Sequence, residues 1–383
     1  MTDTAIANEK NADMKDTILT KMRKVYDNLL NLEDVGKEYA GSTKSDDELE
    51  KIGVFKRDFG MEQWDWPQGV GLMGLSIAKD YLTDVDYPNY ISNWFKARLH
   101  QGLPCKNVNT TAPLATLVDF DFAQELAQEW ITWVMQEANR TEERGLQHDV
   151  TARDIRYRTL NPEQIWVDTL IMANLFTAKM GALYDNDTWR NEALYQLLLH
   201  TKYLQDPKTK LFFHGWTFKE RNHFGDVLWC RGNAWMAIGI PLTLEVLDDF
   251  IQPSVREYIL TFYRNQIDSL LENYLDKEKY LWHTVLTNPA SYVETSGTAG
   301  ILAGILMGIQ RGYLAKDKYL PVCEKILLAV LDQIDYDGVV GNVSAGTPIQ
   351  MTEQEYMDIV IAPMGYGQAL TLIMLSVALP FYS

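Results

Sequence analysis

The sequence predicts an all-α protein and, more closely, an (α/α)6 barrel, in which six inner helices run parallel inside six outer helices. Apolar residues recur with helical periodicity along most of the chain, and the strand-like stretches at 211–218 and 280–286 are short. Six openings with small residues precede helical stretches, and they begin at Trp64, Asn109, Asn161, Trp229, Glu294 and Ala362. Successive openings lie 45, 52, 68, 65 and 68 residues apart, and each interval can hold an inner helix, a turn and an outer helix.

The helices can be placed one by one from this periodicity. Longer helices are expected over 12–32, 88–101, 121–140, 162–181, 187–204, 229–247, 254–275, 295–313, 317–334 and 363–379, and shorter ones near 67–80 and 112–120. No linker rich in Ser, Gly or Pro divides the chain. We therefore expect a single domain over residues 1–383, with residues 1–11 as a flexible N-terminal tail. Small residues such as Gly71, Gly239 and Gly304 follow the openings and permit the close approach that inner helices require.

The charge balance restricts the partners of the protein. The 52 acidic residues outnumber the 35 basic ones, and the formal net charge is -17. Such a surface repels phosphate backbones, so nucleic acid is not an expected partner. The N-terminus shows no secretory signal, and no window reaches the roughly 18 uncharged apolar residues of a membrane span. A soluble, cytoplasmic protein without a membrane partner is expected, and a homo-oligomer stays open.

Metal and cofactor sites have no support in the sequence. The cysteines Cys105, Cys230 and Cys323 are odd in number, widely separated and without CxxC spacing. The chain contains no HExxH, EF-hand loop or P-loop, and its glycine-containing openings lack the strand context of a dinucleotide fingerprint. We expect neither a metal nor a cofactor.

Asp168 is the most informative candidate residue. It lies within NPEQIWVDTLIMA (161–173), whose first residues are typical of an N-cap, a first-turn proline and a capping-box glutamine. This pattern puts Asp168 in about the second turn of a helix that is entering an apolar core. A buried carboxylate is more commonly paired than catalytic, but a position at one of six converging openings favours chemistry.

Parallel inner helices would bring side chains from all six openings to one mouth of the barrel. Aromatic faces beside a few polar groups suit a carbohydrate, which offers CH faces for stacking and hydroxyls for hydrogen bonds. The candidate substrate contacts are Trp64, Asp65, Trp66, Asn109, Trp166, His214, Trp229, Arg231, Trp235, Thr295 and Ser296.

Each of these residues also has a structural interpretation. Any single tryptophan could belong to the core, and Asp65 could serve only as the cap of the helix that follows it. Arg231 could pair with a buried carboxylate, or it could grip a ligand carboxylate with two hydrogen bonds. An isolated histidine such as His214 is more often structural than ligand-binding.

The ordered motifs resemble a known family over most of the chain. WDWPQGVGL, PEQIWVDTLIMA, FFHGW, WCRGNAWMA, ETSGTAG and GYGQA together resemble the unsaturated rhamnogalacturonyl hydrolases, glycoside hydrolase family 105. The resemblance implies an (α/α)6 barrel without a cofactor that acts on short oligosaccharides ending in a 4,5-unsaturated uronic acid. It also puts Asp168 at the family's catalytic acid/base, and the residues at substrate-lining positions are His214, Trp229, Arg231 and Trp235.

One departure from the family concerns a second acid. Many members carry an aspartate at the opening that here reads NVNTTAP, where Asn107 or Asn109 stands instead. Asparagine can hydrogen-bond a hydroxyl but cannot act as a base at neutral pH. The identity of the bound sugar is therefore left open, whereas a mechanism with one carboxyl group is not affected.

The unsaturated sugar is an enol ether, which a single carboxyl group can hydrate. Protonated Asp168 would donate to C4, and water deprotonated by the same carboxylate would add at C5. We expect burial to raise the pKa of Asp168 for this purpose. Two alternatives stay open: a sugar-binding toroid without catalysis, and an (α/α)6 glycosidase or epimerase for a saturated sugar, with Asp65 as the second acid.

Overall fold

The computed structural model describes residues 3–32, 44–55 and 60–382. Its helices are α1 Asp3–Asn31, α2 Asp46–Lys51, α3 Trp66–Ala78, α4 Tyr87–Gln101, α5 Val108–Thr111, α6 Leu114–Leu117, α7 Gln124–Gln136, α8 Leu175–Leu183, α9 Asp187–Leu204, α10 Cys230–Val246, α11 Pro253–Ser269, α12 Thr295–Gln310, α13 Lys316–Leu331, α14 Glu353–Met357 and α15 Gly365–Ala378. Four short strands accompany them: β1 Val150–Thr151, β2 Arg158–Thr159, β3 Gln164–Trp166 and β4 Gly215–Thr217. Single turns of 3-10 helix lie at Asp121–Ala123 and Leu379–Tyr382, and π-helical segments at Leu170–Asn174 and Leu270–Tyr274.

The inner helices form a closed ring. In order around the ring, α3 packs on α5 and α6, α6 on α8, α8 on α10, α10 on α12, α12 on α15, and α15 returns to α3. The helices α4, α7, α9, α11 and α13 each pack outside the inner helix that precedes them in the chain. This contact order confirms the predicted (α/α)6 barrel.

The sixth outer helix comes from the other end of the chain. Helix α1 packs on α15, the last inner helix, which a 3-10 turn follows. Its buried residues Ile18, Met22, Val25 and Leu29 recur at helical spacing and form the apolar face that α15 covers. The flexible tail predicted over residues 1–11 differs from this structure, because α1 is helical from Asp3 onward, while residues 1–2 lie outside the described part of the chain.

Close packing between inner helices depends on glycine at particular places. A Cβ atom on Gly304 of α12 would lie 2.2 Å from the carbonyl oxygen of Ala237 in α10. Such a distance is far inside van der Waals contact, so any side chain at this position would push the two helices apart.

The predicted helix at 162–181 is wrong in its first third. Residues Gln164–Trp166 form β3, which pairs antiparallel with β4, and Ile165 lies opposite Trp216. Glu163 has a φ of 60°, which is incompatible with the first turn of a helix. Helical structure begins after Asp168, first as the π-helical segment Leu170–Asn174 and then as α8. The capping pattern at Asn161 is overridden by this strand pairing, which is a tertiary contact.

The strand-like stretches are shorter than predicted. Of 211–218 only β4 is a strand, and 280–286 contributes isolated bridges such as Trp282 to Leu275 and Val285 to Trp229.

The expectation that no window resembles a membrane span is also wrong by composition, since the helix Gly365–Tyr382 is long and apolar enough to pass that test. However, 83% of this window is buried inside the protein, as in the core helix of a globular fold.

Candidate active site

The N-terminal ends of four inner helical units meet at a cavity of about 530 Å³. Trp66 begins α3, Asn109 lies in α5, Asp168 precedes the π-helical segment, and Trp229 caps α10. The β1–β2 hairpin, α2 and the loop 346–350 complete the wall. Convergence of inner-helix N-termini on one mouth, as the sequence predicted, brings these side chains together.

Six of the predicted site residues line this cavity. They are Trp66, Asn109, Trp166, Asp168, Trp229 and Arg231. Trp66 stacks on Tyr366 at 4.6 Å between ring centroids, so one of its faces is already occupied by the protein.

The structure does not bring Trp64 or Asp65 to the cavity wall. Trp64 is buried in the core, where it stacks on Trp94 and donates its indole N–H to the carbonyl oxygen of Thr110. Asp65 is the N-cap of α3, and its carboxylate accepts the backbone N–H of Trp66 at 2.9 Å. Asp65 lines a separate, smaller depression beside Arg98. The capping interpretation from the sequence accounts for this aspartate.

Trp235, Thr295 and Ser296 are also absent from the wall. Trp235 is fully buried and meets the edge of Trp66 at 6.4 Å between centroids, so it supports that tryptophan from behind. Thr295 and Ser296 begin α12 and have no exposed surface. The Ser296 hydroxyl donates to Glu294 at 2.7 Å.

Asp168 stands at the start of its helix rather than in the second turn. Its backbone carbonyl oxygen accepts the N–H groups of Ile171 and Met172, each at 3.0 Å. The side chain is 16% exposed, and its Oδ2 lies 3.2 Å from Nε2 of His214. The carboxylate therefore faces both the cavity and an imidazole.

The pKa of Asp168 departs from the expectation. Burial acts to raise this pKa, but the imidazole of His214, whose Nε2 lies 3.2 Å from the carboxylate, outweighs burial and holds the pKa below its ordinary value. The raised pKa expected from the sequence rested on burial and left out His214. The carboxyl group is consequently ionised at neutral pH before substrate binds.

His214 lies behind Asp168, between two tryptophans. Its ring is 4.3 Å from that of Trp229 and meets Trp166 edge-on at 5.5 Å, measured between centroids. Its Nδ1 is 2.7 Å from the hydroxyl oxygen of Tyr356. His214 is therefore held in place by the protein on both sides, and it touches the carboxylate rather than lining the cavity itself.

His148 is a cavity residue that the sequence did not single out. Its ring stacks on Trp166 at 4.5 Å, and its Nδ1 is 2.9 Å from the hydroxyl of Thr169. Burial lowers the pKa of His148 to about 3, so the ring is neutral at physiological pH. It lies in a loop before β1, where no periodicity or motif could have singled it out.

Arg231 is held by hydrogen bonds to other residues of the protein. Its side chain is buried, and its terminal nitrogens donate to the carbonyl oxygens of Ser344 and Ala345 at 3.0 and 2.9 Å and to the hydroxyl of Thr347 at 2.9 Å. The carboxylate of Glu294, also fully buried, lies 3.4 Å away. The structural interpretation from the sequence, pairing with a carboxylate, is therefore observed.

The two asparagines of NVNTTAP have different environments. Asn107 caps α5, because its side-chain oxygen accepts the backbone N–H groups of Asn109 and Thr110. Its amide nitrogen donates to Thr151 at 3.1 Å. The Asn109 side chain has no hydrogen bond to any other described residue and lines the cavity. Asn109 is thus the residue of the two that can contact a ligand.

An ion-pair clamp lies at the rim of the cavity. Arg153 of the β1–β2 hairpin donates to Asp47 at 2.6 Å and to Glu50 at 2.7 Å, both on α2. All three residues contribute to the wall. Within 3–32, 44–55 and 60–382, no cluster of three His, Cys, Asp or Glu side chains has the arrangement of a metal site.

The chain was compared with known families and proteins. Residues 43–382 match the family model described as Glycosyl Hydrolase Family 88. The unsaturated rhamnogalacturonyl hydrolase YesR of Bacillus subtilis (strain 168) is 34% identical over 331 residues, which are 84% of this chain and 92% of that protein. An unsaturated 3S-rhamnoglycuronyl hydrolase from Alteromonas sp. (strain LOR) is 29% identical over 177 residues, 45% of this chain and 42% of that protein.

Solved structures share the fold. A possible member of the GH105 family from Salmonella enterica serovar Paratyphi A is 34% identical, has a TM-score of 0.86, and is matched over 96% of this chain and 95% of that one. The unsaturated glucuronyl hydrolase of Bacillus sp. GL1, at 14% identity, superposes with a TM-score of 0.66 over 94% of this chain and 96% of that one. This second match concerns the fold alone.

Proposed function

Because the chain belongs to glycosyl hydrolase family 88, we propose that it removes a 4,5-unsaturated uronic acid from the non-reducing end of short, lyase-generated oligosaccharides. A rhamnogalacturonan-type substrate, in which rhamnose follows the unsaturated residue, is supported by 34% identity to a protein named unsaturated rhamnogalacturonyl hydrolase. The proposed partner is thus a small oligosaccharide.

The proposal rests on how the carboxylates that line the cavity are paired. Three described carboxylates line the cavity, and Asp47 and Glu50 among them are bonded to Arg153 at the rim. Asp168 alone pairs with a histidine and stands at the start of an inner helical unit. One such carboxyl group suits the hydration of an enol ether better than a displacement that uses two acids.

The proposed reaction begins with a proton transfer. Asp168 donates its proton to C4 of the C4=C5 double bond, and the ring oxygen stabilises the positive charge that develops at C5. Water then adds at C5 and returns one proton to the Asp168 carboxylate, so the net change is the addition of one water molecule. The hemiketal opens by breaking the bond between C5 and the ring oxygen, and the hemiacetal left at C1 releases the remaining oligosaccharide as an alcohol.

A proton must reach Asp168 before this reaction, since the pKa of Asp168 lies below its ordinary value before substrate binds. The substrate itself carries a carboxylate, and a like charge close to Asp168 disfavours its ionised form. We therefore propose that Asp168 takes up its proton as the substrate binds. Faces of Trp166 and Trp229 and the free amide of Asn109 are the proposed contacts for the sugar rings and hydroxyls.

Replacement of Asp168 tests the assigned role. Asp168→Asn keeps the size and hydrogen-bonding capacity of the side chain but removes the proton donor, so kcat should fall by at least about 10²-fold. The measurement is the loss of double-bond absorbance with an unsaturated disaccharide from lyase-treated rhamnogalacturonan. A folded Asp168→Asn protein with near wild-type turnover would remove Asp168 from the mechanism.

Asp65→Asn is the matched control. Asparagine is as good an N-cap as aspartate, so the fold and the turnover should both be retained. If Asp65 were the second acid of an enzyme for saturated sugars, this variant would lose activity as severely as Asp168→Asn.

A cytoplasmic location also stays a prediction, supported by three unpaired cysteines, as is common in a reducing compartment.

A further inference from the structure

Tyr356 lies behind the pair formed by Asp168 and His214. It belongs to the short helix α14 and is 1% exposed. Its ring packs with Val227, Trp229 and Val285 in a small apolar cluster that is separate from the main core. Tyr356 does not line the cavity, so it can influence the reaction only through the residues it touches.

The hydrogen bonds of the Tyr356 hydroxyl determine where its proton points. The oxygen is 2.7 Å from Nδ1 of His214, and it accepts the backbone N–H of Gln350 at 3.4 Å. Within the described chain, Nδ1 is the one acceptor available to the hydroxyl proton. Burial raises the pKa of this phenol, so the proton stays on the oxygen at any physiological pH. The hydroxyl therefore donates to Nδ1.

A nitrogen that accepts a hydrogen bond carries no proton, so neutral His214 must carry its proton on Nε2. Nε2 faces Oδ2 of Asp168 at 3.2 Å. The opposite tautomer would turn a lone pair toward a carboxylate oxygen. We propose that Tyr356 is a positioning residue that fixes His214 in the Nε2–H tautomer and so presents an N–H group to the carboxylate of Asp168.

The other titratable groups near Asp168 and His214 do not donate a hydrogen bond to Nδ1 of His214. His148 approaches Asp168 from the loop before β1 and is neutral, and the guanidinium of Arg231 lies 4.6 Å from the ring of Trp229. Glu355, next to Tyr356, influences the phenol through its charge. None of these groups contacts Nδ1 of His214, so the tautomer is set by the Tyr356 hydroxyl.

The tautomer can be observed directly by nitrogen-15 NMR of the histidine rings in the whole protein. The chain has six histidines, and the variant His214→Gln identifies the His214 signals by their loss. At neutral pH we expect an unprotonated Nδ1 and a protonated Nε2 in the wild-type protein. A proton on Nδ1 of neutral His214 would overturn the proposal, and this measurement needs no substrate.

Tyr356→Phe tests the consequence for catalysis, which rests on the proposed function. The phenyl ring keeps the packing, and kcat should fall about tenfold, as for one lost hydrogen bond beside the reacting group. KM should change little, because Tyr356 does not line the cavity. The nitrogen-15 signals of the His214 ring should change in this variant, because Nδ1 loses its hydrogen-bond donor.

Tyr292→Phe is the matched control for this experiment. The Tyr292 hydroxyl donates to the backbone carbonyl oxygen of Tyr356 at 3.3 Å, so its removal perturbs the same segment without touching His214. This variant should keep the wild-type kcat and the wild-type His214 signals. If Tyr356→Phe behaves like Tyr292→Phe in both kcat and His214 signals, Tyr356 does not set the tautomer. If the wild-type protein lacks turnover, the proposed function fails while the NMR result still decides the tautomer.

Discussion

At Asp168, two opposing influences act on one carboxyl group. Burial favours the neutral acid, whereas the adjacent imidazole of His214 favours the carboxylate and prevails before substrate binds. Proton uptake coupled to substrate binding reconciles this with a reaction that starts from the acid. The same residue would thus change its charge state during each catalytic cycle.

This account predicts different pH profiles for the free and substrate-bound enzyme. The profile of kcat/KM reports the free enzyme, where the pKa of Asp168 is lowered, so kcat/KM should decline as pH rises from the acidic range. The profile of kcat reports the complex, where the substrate carboxylate raises this pKa. Its alkaline limb should therefore lie at higher pH, by about one unit or more.

Steady-state rates across pH with an unsaturated disaccharide provide the measurement. Coincident alkaline limbs for kcat and kcat/KM would mean that binding does not change the protonation of Asp168. A kcat/KM that increases with pH through neutrality would indicate a required base rather than a required acid in the free enzyme.

Among the elements, the start of the third inner helix shows what the sequence could not determine. The residues of NPEQIW form a good helix N-terminus by local preference, yet they pair as β3 with β4, some fifty residues later in the chain. Local capping signals describe isolated helices, whereas the strand is stabilised by a partner that no local pattern reveals. Asp168 nevertheless lies at the mouth of the barrel, as predicted, because helical structure begins directly after it.

Two glycines of the inner helices differ in the space around them, so replacing each with alanine tests the close packing of these helices. Gly304→Ala would place a methyl group 2.2 Å from the carbonyl oxygen of Ala237, so the free energy of unfolding should fall by about 1–3 kcal/mol or more. Gly239→Ala is the control on the neighbouring inner helix α10, because its nearest neighbour is Cδ1 of Ile171 at 3.4 Å, an ordinary contact. This second variant should be neutral or up to about 1 kcal/mol more stable.

Urea unfolding of both variants measures these free energies. The account of close packing would be contradicted by equal stabilities of Gly304→Ala and Gly239→Ala, since the two differ only in the space that the methyl group meets.

For the whole molecule, the periodicity of the six openings predicted the ring of inner helices. It did not predict that α1 would be the sixth outer helix. No outer helix was predicted to follow the last opening, and the contact between α1 and α15 shows that α1 takes that place. Of the predicted residues, Trp66, Trp166, Trp229 and Asp168 line the cavity, whereas Trp64 and Trp235 are buried in the core. His148, Tyr356 and the clamp of Arg153 were missed because they lie on loops and short elements, where neither periodicity nor motif spacing carries information.

The central claim is that the protein hydrates the double bond of an unsaturated uronic acid rather than displacing an ordinary glycoside. The most direct measurement is turnover of two matched disaccharides, in which rhamnose follows either the 4,5-unsaturated uronic acid or its saturated counterpart. We predict loss of the double-bond absorbance and release of rhamnose from the unsaturated disaccharide, and no release from the saturated one. Release of rhamnose from the saturated disaccharide at a comparable rate, or binding of the unsaturated one without turnover, would contradict the account.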